Sequence, residues 1–334
     1  MPARRLKMLP LFLPRLGCPS RCVFCNQEAV TGATGILPPE RIVELVGDAV
    51  YDELAFYGGS FLSLPAELRD AYLAVVRELM AQGKVKRLRL STRPDSITEE
   101  TLAALAPFAP AVVELGVESL SDTMLAAAGR GHIAQDSINA LERLKAAGHD
   151  VVWQLMLGLP GETEQDREAT LAGTLAVRPP MVRLSPTLVL AGTELAELWR
   201  SGRYTAMTLE QAVEELARWV EVLEGVGIKI VRMGLHPAEG KFTPGEVLAG
   251  PWHPALGELV RSRLALGEME RLLAGYAGDN PVIEVPRRKL SIYLGQKQSN
   301  LIILRGKYPG ISIKPASVDE SRLEVERKSG TRKP

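Results

Sequence analysis

The chain has 334 residues, with 40 Lys and Arg against 40 Asp and Glu, 46% apolar and 24% charged residues. This is the composition of an ordinary folded protein and excludes a collagen-like, low-complexity or uniformly polycationic chain. At this length a core needs no disulfides, and one large domain or a domain with an appendage is expected. The basic start Met1-Pro2-Ala3-Arg4-Arg5-Leu6-Lys7 precedes an apolar run broken by Pro10 and Pro14. No leader peptide is expected from it, and no run approaches the roughly 18 apolar residues of a membrane span. A cytoplasmic chain without membrane contact is therefore expected.

The predicted elements alternate strand and helix, the pattern of a parallel α/β architecture. Residues 9–15 form a first strand that runs into Cys18-Pro-Ser-Arg-Cys22-Val-Phe-Cys25, which holds all three cysteines. A helix over 39–50 opens on Pro39 and carries Ile42, Val43, Leu45 and Val46 on a broad face. Strand 53–57 leads into Tyr57-Gly58-Gly59-Ser60, and helix 66–82 is stopped by Gly83. Residues 85–91 alternate apolar and basic side chains as a half-exposed strand, followed by Ser91-Thr92-Arg93-Pro94-Asp95. Thr98 caps a helix over 98–108; Thr101 rather than Glu stands three residues on, so no capping box is expected. Asp95 is an alternative cap for the same helix.

Strand 112–118 brings Glu114 and Glu118 to one face by alternation. Charges inside a mostly buried parallel sheet must be paired or face a polar cavity. Arg130, in Gly129-Arg130-Gly131-His132, is the expected partner. Helix 133–147 ends at Gly148, strand 151–157 carries Gln154 into Gly158-Leu-Pro160-Gly161, and helix 164–177 precedes strand 182–190.

Three cysteines within eight residues of a reducing-compartment protein point to a metal site rather than a disulfide framework. Structural zinc prefers four protein ligands, and the nearest histidine is His132. An iron–sulfur cluster with three thiolates and one open iron matches better, with zinc as the alternative. The spacing Cys-x3-Cys-x2-Cys resembles the signature of the radical S-adenosylmethionine (SAM) enzymes. That resemblance implies a four-iron four-sulfur cluster on Cys18, Cys22 and Cys25. The open iron would take the amino and carboxylate groups of SAM, and reductive cleavage would give a 5′-deoxyadenosyl radical. It also implies an electron donor of flavodoxin or ferredoxin type, and a partial (β/α)6 TIM-like barrel with its chemistry at the carboxyl ends of the strands.

Further positions follow from the same resemblance. Phe24 stands where the family places an aromatic ring near the adenine, its alternative being a core residue under the loop. Tyr57, Gly58, Gly59 and Ser60 match a motif whose backbone carbonyls hold the SAM amino group. Ser91, Thr92 and Arg93 resemble a Thr-Arg-Pro-Asp stretch of the Elongator catalytic subunit and its relatives. Glu118 stands where oxygen-independent coproporphyrinogen oxidases carry Gln, Arg130 at a SAM-carboxylate contact, and Gln154 at a ribose-binding place. The likeness runs from about residue 9 to 235 and is nearest to the Elongator branch. The expected division is therefore a radical SAM barrel over 1–235 and a C-terminal α+β extension over 236–334.

All three cysteines are assigned, so no auxiliary cluster is expected, and methylthiolation or sulfur insertion is disfavoured. No Gly-rich acetyl-coenzyme-A loop follows residue 235, so acetyl transfer is not expected of this chain. Helix 209–223 carries Leu209, Val213, Leu216, Val220 and Leu223 on one stripe and is expected to close the barrel side. Residues 228–233 are a further strand and 256–273 a helix; 282–285, 290–294, 301–304 and 311–313 read as a small antiparallel β cap. Residues 287–334 hold 12 Lys and Arg against 4 Asp and Glu, a net +8, and residues 1–27 hold five basic groups and no acid. The neutral total thus conceals basic ends on a body of −13, which leaves two readings for 287–334, one of them a contact with an anionic macromolecule such as RNA. The alternative is that these cations blunt exposed strand edges. The leading expectation is a radical SAM enzyme acting on RNA such as tRNA. Alternatives are a small-molecule radical SAM enzyme and a non-catalytic cluster or haem carrier.

Overall fold

The computed structural model describes residues 6–32, 35–235, 237, 242–278, 280–316 and, for backbone, 324–326. Of the two basic ends, Arg4, Arg5 and residues 317–323 and 327–334 lie outside the described residues. Among the described residues the strands are β1 (Met8–Phe12), β2 (Glu53–Tyr57), β3 (Leu88–Thr92), β4 (Val112–Glu118), β5 (Asp150–Leu157), β6 (Met181–Pro186), β7 (Val189–Leu190), β8 (Lys229–Met233), β9 (Val247–Ala249), β10 (Val282–Pro286), β11 (Ser312–Ala316) and β12 (Glu324–Glu326). β1 to β6 and β8 form one seven-stranded parallel sheet in the order β1-β2-β3-β4-β5-β6-β8. Successive parallel neighbours joined by crossovers curl this sheet into a half-barrel, and the expected mixed α/β class holds. β4 and β5 read as nearly continuous buried runs, VVELGVE and DVVWQLML, because a parallel strand is covered on both faces.

The helices of the first stretch are α1 (Gln27–Thr31), α2 (Arg41–Val46), α3 (Ala66–Ala81), α4 (Glu99–Leu105), α5 (Asp122–Ala127), α6 (Ala134–Ala146), α7 (Glu164–Val177) and α8 (Glu194–Arg200). α4 does carry a capping box, contrary to expectation. Thr98 accepts from the Thr101 N–H while the Thr101 hydroxyl accepts from the Thr98 N–H, so threonine does the work usually given to Glu. Asp95 makes no cap and forks instead to Arg93.

The described residues fall into two compact units, one running to Leu209 and resuming over Leu223–Pro254, the other formed by Glu210–Val222 and the chain from Ala255 onward. Helix α9 (Leu209–Gly225) supplies residues to both. In the second unit, α10 (Leu256–Leu273), α11 (Leu290–Leu294) and α12 (Ser299–Arg305) pack with a three-stranded sheet of order β11-β10-β12. The expected antiparallel cap is corrected in two respects. β10 pairs in parallel with β11 and antiparallel only with β12. Residues 290–294 and 301–304 are helical: Tyr293, Leu301 and Leu304 join Leu266, Met269 and Ile283 in one apolar core, and short apolar runs do not declare their period.

Candidate active site at the barrel mouth

All three cysteines lie on the loop between β1 and α1, partly buried and free of disulfides. Neighbouring elements tie this loop down through its backbone. Val23 N–H donates to Ala128 O at 3.1 Å, Leu195 N–H to Val23 O at 2.8 Å, and Ser60 N–H to Leu16 O at 3.0 Å. The last contact requires Gly59, where a Cβ would collide with the Leu16 carbonyl oxygen. At Gly129, φ is +68° and a Cβ would stand 2.8 Å from Arg21 O, so glycine lets the α5–α6 turn pass under the loop.

The loop and the carboxyl ends of the strands border one cavity of about 690 Å³. It brings together Cys18, Cys22, Cys25, Phe24, Tyr57, Gly58, Gly59, Ser60, Ser91, Thr92, Arg93, Glu118, Arg130 and Gln154. Phe24 borders the cavity and also packs on Met124, Ala128, Met156 and Leu159. The Ser60 hydroxyl bonds Ser63 Oγ at 2.8 Å and Thr92 Oγ1 at 3.0 Å, and Thr92 bonds Ser96 Oγ at 2.7 Å. Those hydroxyls brace the strand ends. Arg93 forks to both oxygens of Asp95 and donates from Nη1 to Ser20 Oγ at 2.8 Å, inside the cysteine loop.

Arg130 joins the loop to the sheet. Its Nη1 donates to Cys22 Sγ at 3.1 Å and stands 3.8 Å from Glu118 Oε1, while Nη2 donates to Gly116 O. Glu118 has φ +64° beside a register shift between Gly116 and Glu118 against β5, a bulge that re-aims its carboxylate. That carboxylate accepts from Gln154 Nε2 at 3.3 Å. Burial pushes the Glu118 carboxyl up, with Arg130 and Gln154 pulling it back. Glu114, expected to share Arg130, has other partners: Arg89 Nη1 at 2.8 Å, the Tyr57 hydroxyl at 3.1 Å and Arg183 Nη1 at 3.8 Å.

The donor set can be tested against an iron–sulfur cluster. Burial, then the neighbouring sulfurs, pushes the Cys25 thiol up to about 12, and burial also raises Cys18. Three crowded thiolates facing a cavity need a cation to hold them ionised, which iron supplies. Among the described residues no three His, Cys, Asp or Glu side chains are arranged to hold a single ion. A four-iron cluster, whose corners separate the sulfurs, suits this triplet better than one zinc.

Sequence reasoning missed the charged chain on the inner wall. Arg89 does not lie on a half-exposed face; it turns inward to Glu53 at 2.6 Å and Glu114. Arg183 was not singled out at all. The signal was available in Arg89, Glu114 and Arg183 standing on strands buried on both faces, where isolated charges are costly.

The sequence matches the family model of the Radical SAM superfamily over residues 14–172 and that of the Radical SAM C-terminal domain over 179–265. It is 30% identical over 185 residues to a tRNA uridine(34) acetyltransferase of Methanocaldococcus infernus, covering 49% of this chain and 35% of that protein. It is 28% identical over 186 residues to human Elongator complex protein 3, covering 50% and 34%. The chain thus spans about a third of the length of these curated relatives. Among solved structures, archaeal Methanocaldococcus infernus Elp3 with an N-terminal deletion aligns with a TM-score of 0.57 and 26% identity, over 70% of this chain and 58% of that one. The coproporphyrinogen III oxidase HemN of Escherichia coli shares the fold, with a TM-score of 0.51 and 16% identity over 66% and 53%.

Proposed function

Because this chain belongs to the radical SAM superfamily, we propose that it reductively cleaves SAM and abstracts hydrogen from an RNA substrate, with tRNA the favoured class. The observation that carries the proposal is the gathering of Cys18, Cys22 and Cys25 with Arg130, Glu118 and Gln154 around one cavity. Cys18, Cys22 and Cys25 would hold a four-iron four-sulfur cluster. When bound and reduced by a flavodoxin- or ferredoxin-type donor, that cluster supplies the electron that splits SAM into methionine and a 5′-deoxyadenosyl radical.

The chain's own residues bind and orient. Gly58 and Gly59 offer backbone at the SAM amino group, with Tyr57, Ser60, Ser91, Thr92 and Arg93 shaping that wall. Arg130 donates to Cys22 Sγ and stabilises negative charge there. Glu118 and Gln154 present a joined polar pair towards the ribose, and Phe24 offers its ring to the adenine.

The tRNA preference is supported by the relatives named for tRNA and by an exposed basic surface. Arg287, Arg288, Lys289, Lys297, Arg305, Lys307 and Lys314 are all exposed, and no acidic residue occurs between 287 and 316. Among the described residues no helix is long and apolar enough to cross a membrane, and a cytoplasmic setting suits both substrate and reductant.

The test is anaerobic rebuilding of the cluster, verified by iron content, then SAM and dithionite with and without bulk tRNA, reading 5′-deoxyadenosine. Product that increases with tRNA is expected. No product from an intact cluster overturns the enzyme in favour of a carrier. A yield indifferent to tRNA overturns the RNA substrate in favour of a small molecule.

A further inference from the structure

The inner wall of the half-barrel, beside Gln154 and Tyr57, carries an incompletely balanced charge. Arg89 is fully engaged, with Nε at 2.6 Å from Glu53 Oε2 and Nη1 at 2.8 Å from Glu114 Oε1. Glu114 Oε1 also accepts from the Tyr57 hydroxyl. What remains for Arg183 is Glu114 Oε2 at 3.8 Å, beyond hydrogen-bond distance. The Nε of Arg183 is buried without a hydrogen-bond partner among the described residues. Glu118, the other carboxylate near it, lies between Arg130 and Gln154. Arg232 is the register partner of Arg183 on β8 and borders the same cavity from an exposed position. Burial, together with the charge of Arg232, pulls the Arg183 pKa down.

A buried guanidinium with an idle donor is costly unless something fills the place. Its planar fork matches two oxygens of one acid group, and a second guanidinium alongside selects negative charge. Arg89 already takes up Glu53 and Glu114, so the charges of Arg183 and Arg232, which both border the cavity, are less fully matched.

We propose that Arg183 and Arg232 form an oxyanion subsite for the substrate, gripping a carboxylate or phosphate so that the neighbouring carbon is held in the cavity before the cysteine loop. The subsite deepens the radical SAM reading of this cavity and rests on it for its role in the reaction, though not for the binding itself. The oxyanion is assigned to the substrate, since the resemblance to the radical SAM enzymes gives the SAM carboxylate to Arg130. Glu114 competes for Arg183 and so tunes the grip.

The test is isothermal titration of cluster-loaded, SAM-saturated protein with inorganic phosphate in one arm and acetate in the other. No reductant is present, so failure of radical cleavage leaves the result untouched. Saturable binding of at least one anion is expected, and the arm that binds identifies the acid group. R183Q and R232Q should each weaken it about tenfold, the loss of a charge-assisted hydrogen bond. R183K should recover part of it, and E114Q should tighten it several-fold. The surface variant R41Q should match wild type. R232 is exposed and E114Q adds no bulk, so both remain informative if R183Q fails to fold. Absence of binding in both arms, or indifference to both R232Q and E114Q, overturns the subsite.

Discussion

Arg130 is buried with its charge divided between Cys22 Sγ and Glu118. Removing it leaves Glu118 buried beside sulfurs and without its cation. Breaking a buried pair from one side costs about 3–5 kcal/mol, so R130M should lose about that much in urea unfolding. A neighbour that hydrogen-bonds a metal ligand is worth about 10–100-fold in retention, so R130M should also lose iron faster during gel filtration. Iron retention equal to wild type would show that the Cys22 contact does not steady the ligand. Gly59→Ala drives a Cβ into the Leu16 carbonyl oxygen; forced overpacking costs about 1–3 kcal/mol, and the same variant should hold less iron because the cysteine loop must move. At this scale the cysteine triplet and Gly58-Gly59 were legible because their spacings are local, and Arg130 only as the counter-charge that buried strand carboxylates require. Arg89 and Arg183 were not, since their partners lie on other strands: Glu114 is 25 residues from Arg89.

Helix ends and strand starts show a second kind of dependence. Thr98 and Thr101 cap α4 reciprocally, and T98A should cost about 1 kcal/mol, read by chemical denaturation. At the entry to β5, His149 Nδ1 accepts the Ala111 N–H at 3.2 Å, which requires the neutral ring. Burial, then the charge of Arg87, pushes the His149 pKa down. The folded chain therefore binds this proton less readily than the unfolded chain, whose value is about 6.5. The stability involved is complete above that pH and is lost as pH falls through the lower folded value. Melting temperature should fall on acidification below about pH 6.5, and H149Q should flatten that fall. An unchanged acid limb in H149Q assigns it to another group. Strand and helix existence was legible for the longer elements: β2, β4 and α7 of the barrel and α10 of the second unit occupy the residues that patterning indicates. It failed for α11 and α12, each of seven residues or fewer, because a run that short buries one face in either conformation.

Over the whole chain, charge decides where a polyanion can rest. Seven exposed cations lie between residues 287 and 316 with no acid among them, and Lys307 has a carboxylate only at 4.0 Å, from Glu270. If this surface meets phosphates, converting Arg287, Arg288 and Lys289 to Gln should lower the slope of log affinity against log salt by roughly 2, the share of three contacts to single-stranded nucleic acid. The same exchange should leave the anion subsite at Arg183 unchanged. An unaltered salt slope for tRNA retention moves the nucleic-acid contact elsewhere.

The amino-acid sequence by itself determined the clustering of the three cysteines, the strand–helix alternation of the barrel and the hidden separation of charge, because each is written in neighbouring residues. Tertiary structure alone decided that Arg130 bonds Cys22 while Glu114 turns to Arg89 and Tyr57. It also decided that Ser60 and Thr92 bond each other and that Arg183 borders the cavity with its Nε buried and unpartnered. Those outcomes depend on strand register and on a bulge at Glu118. A parallel sheet sets both by packing residues far apart in the chain, where no local spacing records them.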